Sequence, residues 1–313
     1  MDADGGRGDT ARMREFRFGL VWRGDGDVRE VASRAEDTGY ATLLFPDHTG
    51  MPAPLPAMAA AAAVTERLRL GTQVINIAFR PLGLLAQEAA TVDVISGGRL
   101  ELGIGAGYAE EEVRSVGLPF GRAGARIREV ARALEVLPRL FGGETVTEEP
   151  GPGRLAGFRL EPLPPQGRSV PLMAGGNGDR MLAVAAAGAD IVQFTGFTAP
   201  PLGDYSFFTT AGLADRVEHV RLRAGDRFPD LELSLLIQHA HVTDDPAGTA
   251  AGLVGEVIPM ETALESPFLL FGTVDAICER IIELRERFGV SYLTVFDGRE
   301  TGFDQVVSRL AGA

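Results

Sequence analysis

The chain has 313 residues, 45% hydrophobic and 23% charged, a composition ordinary for a globular enzyme and a length that suits two domains or one α/β barrel. A net charge of −13 argues against sequence-independent binding to nucleic acid or to an anionic membrane, and no apolar run reaches spanning length. All 30 basic residues are arginine, which excludes Schiff-base chemistry on lysine, and the single cysteine, Cys278, excludes an internal disulfide or a cysteine zinc cluster.

Residues 1–14 are polar and glycine-rich with no apolar core, so they are expected to be a disordered tail and not a signal peptide, ahead of a single domain at 15–313. From there short β-like runs alternate with amphipathic helical stretches. FRFGLV (16–21) precedes DVREVASRAEDTG, and ATLLFP (41–46) precedes LPAMAAAAAVTE. LRLGTQVI (68–75) leads into LLAQEAATVDVIS, and LELGIG (100–105) into ARIREVARALEVLPRLF. A Pro/Gly-rich stretch at 148–167 reads as a surface insertion, with room for a short hairpin. VPLMAG (170–175), DIVQFTG (190–196), LELSLLIQHAHV (231–242) and SYLTVF (291–296) supply four further strands. Eight strands, each followed by a helix, predict a (β/α)8 barrel; a doubly wound sheet of eight strands prints a similar pattern. The barrel is favoured because polar or glycine-rich residues follow nearly every strand: Trp22-Arg23, Asp47-His48, Asn76, Gly105 to Tyr108, Gly175 to Asp179, Thr195-Gly196, Gln238 to His241 and Asp297. In a barrel these converge on one mouth.

Within that set, Asp47-His48 is the sharpest pair, because an imidazole that titrates near neutrality can exchange a proton with a substrate atom. His239 and His241, two apart on a strand, share a face, but no third ligand stands at useful spacing, so no metal is expected and at least one is expected to line the mouth. His219 reads as a solvated helix face and Cys278 as core filler. GIGAGY (103–108) carries three alternating glycines but has Tyr108 where a dinucleotide fingerprint needs its third glycine. AGGNGDR (174–180) is a second glycine-rich turn between a strand and a helix. Two such turns, neighbours in a barrel, predict a phosphate cradle on a barrel rather than on a Rossmann sheet.

The blocks GYATLLFPDH, TERLRLGTQV, LAQEAATVDVISGGRLELGIGAGY, VPLMAGGNGDRML and GADIVQFTG, in this order, resemble the luciferase-like monooxygenase superfamily, and most closely its actinobacterial branch that uses the deazaflavin coenzyme F420. The resemblance implies a (β/α)8 barrel, a homodimer, and a cofactor ring held at the barrel mouth against a bulge in the third strand. A non-prolyl cis peptide at that bulge would fall at Gln73-Val74. By the same resemblance Asn76 and Asp47 contact the ring and His48 is an acid/base. Ala106, Gly107, Gly175, Gly176, Gly178 and Asp179 match the phosphate and ribityl region. Sugar-phosphate dehydrogenases of the superfamily carry a Glu acid where this chain has Tyr108, and they hold the sugar phosphate with lysine, which this chain lacks; a phosphosugar substrate is not expected. Tyr108 is the second candidate proton donor.

The expected activity is therefore hydride transfer between F420 and a small organic substrate, in the reducing direction onto an activated C=C or C=N bond. An FMN-dependent monooxygenase supplied by a separate reductase, and a non-catalytic flavin- or deazaflavin-binding barrel, are the alternatives. The expected setting is cytoplasmic, with a flavin or F420 reductase only as electron supplier. Phe197, Tyr205, Phe207, Phe208, Met260 and Phe268 fall on loops expected to give the substrate pocket an apolar wall.

Overall fold

A computed structural model describes residues 13–196 and 205–313. Residues 1–12 of the expected tail and Phe197 of the expected wall lie outside the described residues. Eight parallel strands form a closed barrel. They are β1 (Arg17–Val21), β2 (Thr42–Phe45), β3 (Arg69–Thr72), β4 (Leu100–Gly105), β5 (Leu172–Gly175), β6 (Ile191–Phe194), β7 (Glu232–Ile237) and β8 (Val290–Phe296). Each pairs with its sequence neighbours, and β8 closes on β1 with Arg17 opposite Tyr292 and Val21 opposite Phe296. The barrel expected from the strand count is the architecture observed.

The strands read as nearly continuous apolar runs because both faces are buried. Outward residues such as Phe18, Leu43, Leu102 and Ile104 meet the helices; Phe18 packs edge-on against Phe303 at 5.9 Å. Inward residues pack on one another across the barrel, where Leu44, Met173, Ile191, Leu236 and Tyr292 are the bulky fillers. Their volume leaves no space for side chains opposite them. A Cβ on Gly19 would stand 2.7 Å from Leu44, and one on Gly71 equally close. Helices start and stop where the chemistry says they should. The helix Val28–Thr38 has Asp27 accepting from Arg29 N at 2.9 Å and ends at Gly39 with φ +97°. Cys278 lies buried in the helix Val274–Phe288 beside Ile277 and Ile281, as packing.

Three departures from the sequence reading have local causes. The run 231–242 is not one strand. The barrel strand ends at Ile237, Gln238 N donates to Phe268 O at 2.8 Å, and His239–Val242 pairs with Leu269–Gly272 and Glu300–Thr301 in a small sheet outside the barrel. The third strand breaks after Thr72, and its continuation, Ile75–Asn76, pairs with β4. The insertion is anchored by a hairpin between Thr145–Val146 and Phe158–Arg159, which begins just before the Pro/Gly-rich stretch. Of the tail, Arg14 donates to Asp230 O at 2.7 Å.

Candidate functional site

The loops at the C-terminal ends of the strands enclose a cavity of about 660 Å3, the end where barrel ligands bind. Arg23 after β1, Asp47 and His48 after β2, Gln73, Val74 and Asn76 at the β3 break, Gly105 to Tyr108 after β4, and Gly175 to Asn177 after β5 all line it. Gln193, Thr195, Leu236, Gln238, Phe296 and Arg299 complete the wall. The expected convergence on one mouth is what the fold produces. Gly178 and Asp179 are not in the lining: Gly178 caps the helix Asp179–Gly188, and Asp179 O faces His219 Nε2 at 3.0 Å. Asn177, within the expected 175–179 turn but not among the residues the resemblance assigned, lines the cavity, its amide donating to Thr195 Oγ1 and accepting from Gly196 N.

The floor of the site is made by the β3–β4 contact. The Gln73-Val74 peptide is cis and non-prolyl, at the position the resemblance named. The alternating glycines of β4 answer to this neighbour. A Cβ on Gly103 would stand 2.0 Å from Thr72 O, and one on Gly105 2.3 Å from Val74 Cγ2. Gly107, at φ +67°, would meet the Asn76 amide at 2.5 Å. The G-x-G-x-G pattern thus first serves close packing of two backbones, and it leaves the Ala106-Gly107 backbone at the cavity. Gly175 is likewise held by a neighbour, Gln193 O, 1.9 Å from where its Cβ would be.

The carboxylates at the mouth, Asp47 and Glu112, are held by specific partners. Asp47, 8% exposed, accepts from Arg80 Nη1 at 2.6 Å and from Asn76 N at 3.1 Å, so it braces the bulge as well as facing the cavity. His48 Nδ1 stands 2.9 and 3.0 Å from the two oxygens of Glu112, whose carboxylate also accepts from Thr49 N at 3.2 Å. A carboxylate at Nδ1 fixes the proton there and leaves Nε2 as the exchanging nitrogen. Tyr108 packs edge-on against His48 at 5.7 Å and is 63% exposed. Partial desolvation against the cavity wall, then the Glu112 charge, raises its pKa above the ordinary phenol value. Glu112 and Arg80 are functional neighbours that the sequence reading missed. Glu112 follows the GIGAGY turn on the short helix Glu110–Ser115, and only its distance to His48 distinguishes it from the two acids before it.

One lining residue is unsatisfied. Both amide atoms of Gln73 are buried with no hydrogen-bond partner. Gln193, by contrast, donates to Ser234 and Thr294, and Gln238 donates to Thr195 O. A buried amide that lacks both a donor and an acceptor partner beside a cavity is matched by a ligand edge presenting one of each. That is the chemistry of the pyrimidine side of a flavin or deazaflavin ring.

Neither His239 nor His241 lines the cavity. They stack on each other at 5.8 Å, and burial, then Arg299, pulls His239 down to about 4, so it is neutral at pH 7. The expected apolar wall also lies elsewhere. Phe208 packs on Phe268 at 5.9 Å, Phe207 lies under Arg216, and none of Tyr205, Phe207, Phe208, Met260 or Phe268 borders the cavity. These aromatics pack the loops against one another because the small sheet beneath them offers buried apolar partners such as Leu269 and Ile258.

The luciferase-like monooxygenase family model matches residues 24–253. The chain belongs to that family. Among curated proteins, it is 29% identical over 231 residues to an F420-dependent glucose-6-phosphate dehydrogenase of Nakamurella multipartita, covering 71% of this chain and 65% of the relative. Among solved structures, this luciferase-like chain superposes on the coenzyme F420 dependent tetrahydromethanopterin reductase of Methanopyrus kandleri with a TM-score of 0.77. Identity there is 19%, with 94% of this chain and 97% of the other covered. It also superposes on the oxygenating constituent of 3,6-diketocamphane monooxygenase from Pseudomonas putida, solved with FMN, at a TM-score of 0.71. In that pair identity is 17%, with 96% and 98% covered. These two likenesses are of fold. Among the described residues no helix is long and apolar enough to cross a membrane, and no group of three His, Cys, Asp or Glu residues is arranged to hold a metal ion.

Proposed function

We propose that this chain is an F420-dependent oxidoreductase that moves a hydride between the deazaflavin and a small organic substrate, in the reducing direction onto an activated C=C or C=N bond. The observation that carries the reading is the unpartnered Gln73 amide at the mouth, flanked by the His48–Glu112 pair. The curated relatives named for F420 support it, although the match spans only 65% of the first relative's length. The residues present fit the ring: Gln73 supplies one donor and one acceptor, Val74 and Ala106 supply an apolar surface, and Gly176 and Asn177 fit the phosphate-bearing chain. Bound reduced F420 supplies the hydride.

The chain's own residues then have separable tasks. Glu112 holds the His48 proton at Nδ1 and stabilises the imidazolium, so that Nε2 can deliver a proton to the substrate atom next to the hydride acceptor. Tyr108 shields that imidazole on its edge. Arg80 and Asp47 hold the bulge in place. The deep end of the cavity, lined by Leu236, Met181 and Val74, limits water around the reacting atoms. The reading includes a homodimer in the cytoplasm, with a reductase only as electron supplier; light scattering of the purified protein tests the dimer.

The experiment is parallel fluorescence titration with F420 and FMN, followed by anaerobic assay of reduced F420 against unsaturated acceptors. F420 binding at least tenfold tighter than FMN binding, with turnover dependent on His48, is the expected result. Preference for FMN with reductase-dependent oxygen uptake would replace it with a monooxygenase, and binding of neither would end both.

A further inference from the structure

Two arginines in the cavity wall have no carboxylate to answer them. Arg23 follows β1 and Arg299 follows β8, adjacent strands of the barrel, and both side chains line the mouth. Their guanidinium carbons lie 5.8 and 5.3 Å from the centroid of one ring, Phe296, between them. Neither has a salt bridge or side-chain hydrogen bond among the described residues. The two lining carboxylates are already engaged, Asp47 by Arg80 and Glu112 by His48. In a chain with a net charge of −13, where Arg17, Arg34, Arg80 and Arg132 all have acidic partners, this is a local reversal of sign.

Backbone contacts hold the pair in place. Trp22 N donates to Leu44 O just before Arg23, and its indole donates to Asp25 O just after it. Arg299 N donates to Phe296 O, and Arg299 O accepts from Ala240 N. Burial, then the charge of Arg23, disfavours the Arg299 cation, so the two charges oppose each other across the ring. Partly buried like charges beside an open cavity are relieved by an anion that bridges them.

The position identifies which anion. In an eight-stranded ring β1 and β8 lie opposite β4 and β5, whose glycine turns fit the phosphate-bearing chain of the cofactor. Resting on the functional reading above, we infer that Arg23 and Arg299 form an oxyanion clamp for the substrate, which therefore carries a carboxylate or phosphate group within reach of its reducible bond. Guanidinium forks suit both oxyanions, and Phe296 offers an apolar seat for the carbon skeleton between them. The substrate pocket is thus a charged rim over an apolar floor, not the aromatic wall that the loop composition had suggested.

The test uses a matched acid and amide, cinnamate and cinnamamide, with binding measured by calorimetry on the cofactor-free protein and again on the protein loaded with oxidised F420. Wild type is expected to bind cinnamate at least tenfold tighter than the amide, with inorganic phosphate competing for the acid only. Arg23→Gln and Arg299→Gln should each reduce that preference by threefold or more, while Arg223→Gln, an exposed charge control, leaves it unchanged. Equal binding of acid and amide to wild type overturns the clamp and needs no variant that must fold. Retention of the acid preference in the double variant also overturns it. A loss of F420 affinity in either variant, with acid binding intact, would reassign the arginines to the cofactor's own anionic tail. Failure of the F420 reading alone would leave the measurement on the cofactor-free protein standing.

Discussion

At the N-terminal end of the barrel, Arg17 donates to Glu232 at 2.9 and 2.7 Å and to Glu101 at 3.1 Å, while the Tyr292 hydroxyl donates to Glu101 at 3.0 Å. At the C-terminal end the strand ends lead to Arg23 and Arg299, which lie against Phe296 with no carboxylate partner among the described residues, and to the Gln73 amide, which has no hydrogen-bond partner. Burial alone would lower the Arg17 pKa, but Glu101, Tyr292 and Glu232 more than offset it, and its cation is held above the ordinary value. In charge, one end is closed and the other is left open, although the Thr42 and Ser291 hydroxyls near the closed end are also buried without a hydrogen-bond partner. A fold that pairs its buried charges at one end, and at the other leaves an amide and two guanidinium groups beside a cavity, shows which end is built for a ligand.

The largest effect that would break this comparison is at the closed end. Glu101→Ala leaves Arg17 and Tyr292 short of a buried partner and is expected to lose about 3–5 kcal/mol of stability. Urea unfolding checks the loss, and F420 affinity per folded molecule should stay within twofold. A large loss of affinity without a loss of stability would mean that the two ends are not separable.

At the open end Glu112→Gln keeps a hydrogen-bonding group beside His48 Nδ1 and removes the charge that stabilises its cation. The expected result is a fall in kcat of about 10–100-fold, with stability changed by less than about 1 kcal/mol. A split between kcat and KM separates this positioning role from a merely structural one: kcat should fall while KM changes by less than about twofold, and Glu112→Asp should recover part of the loss. An unchanged kcat would remove Glu112 from the mechanism.

Much of this division was legible in the sequence. The eight βα repeats gave the barrel, and the residues that follow its strands, from Asp47 to Gln238, gave the mouth, because a barrel sends every strand end to one place. The Gln73-Val74 bond came from the resemblance, since nothing in LGTQVIN by itself calls for it. What the sequence hid were choices between equivalent neighbours. Three glutamates stand at 110–112, and only the turn of the short helix decides that Glu112 reaches His48. Two histidines on a strand suggested the mouth, but β7 ends at Ile237 and carries them to a different sheet. Aromatic loop residues suggested a wall; their actual neighbours are each other, a long-range packing choice that composition does not encode.

Gln73→Met sharpens the comparison further, because it sets stability against function at one residue. Replacing an unpartnered buried amide by an unbranched apolar chain of similar size should leave the cofactor-free protein unchanged or more stable by about 1 kcal/mol. F420 affinity should fall about tenfold, which fluorescence titration measures. If stability falls instead, the Gln73 amide has a partner in the free protein and its orphan status no longer marks the ring site.

The smallest expected effect comes from Glu300, a strand residue of the small sheet outside the barrel. Burial, then Asp297 and Asp304, pushes its carboxyl up to about 7, with Arg34 opposing; the Tyr40 hydroxyl is raised first by its own burial and then by Glu300 and Asp304. A carboxyl whose folded pKa lies above its unfolded value near 4.5 binds more protons in the folded state between those two values. Its contribution is therefore fully present at about pH 4.5 and lost as pH rises through 7. Glu300→Gln stays neutral throughout. The Tm of wild type should consequently fall relative to the variant by about 2–4 °C between pH 5 and pH 8, read by thermal melts across that range. A constant difference would show that the Glu300 carboxyl is already ionised at pH 5, and that Asp297 and Asp304 stand too far into solvent to hold its proton on.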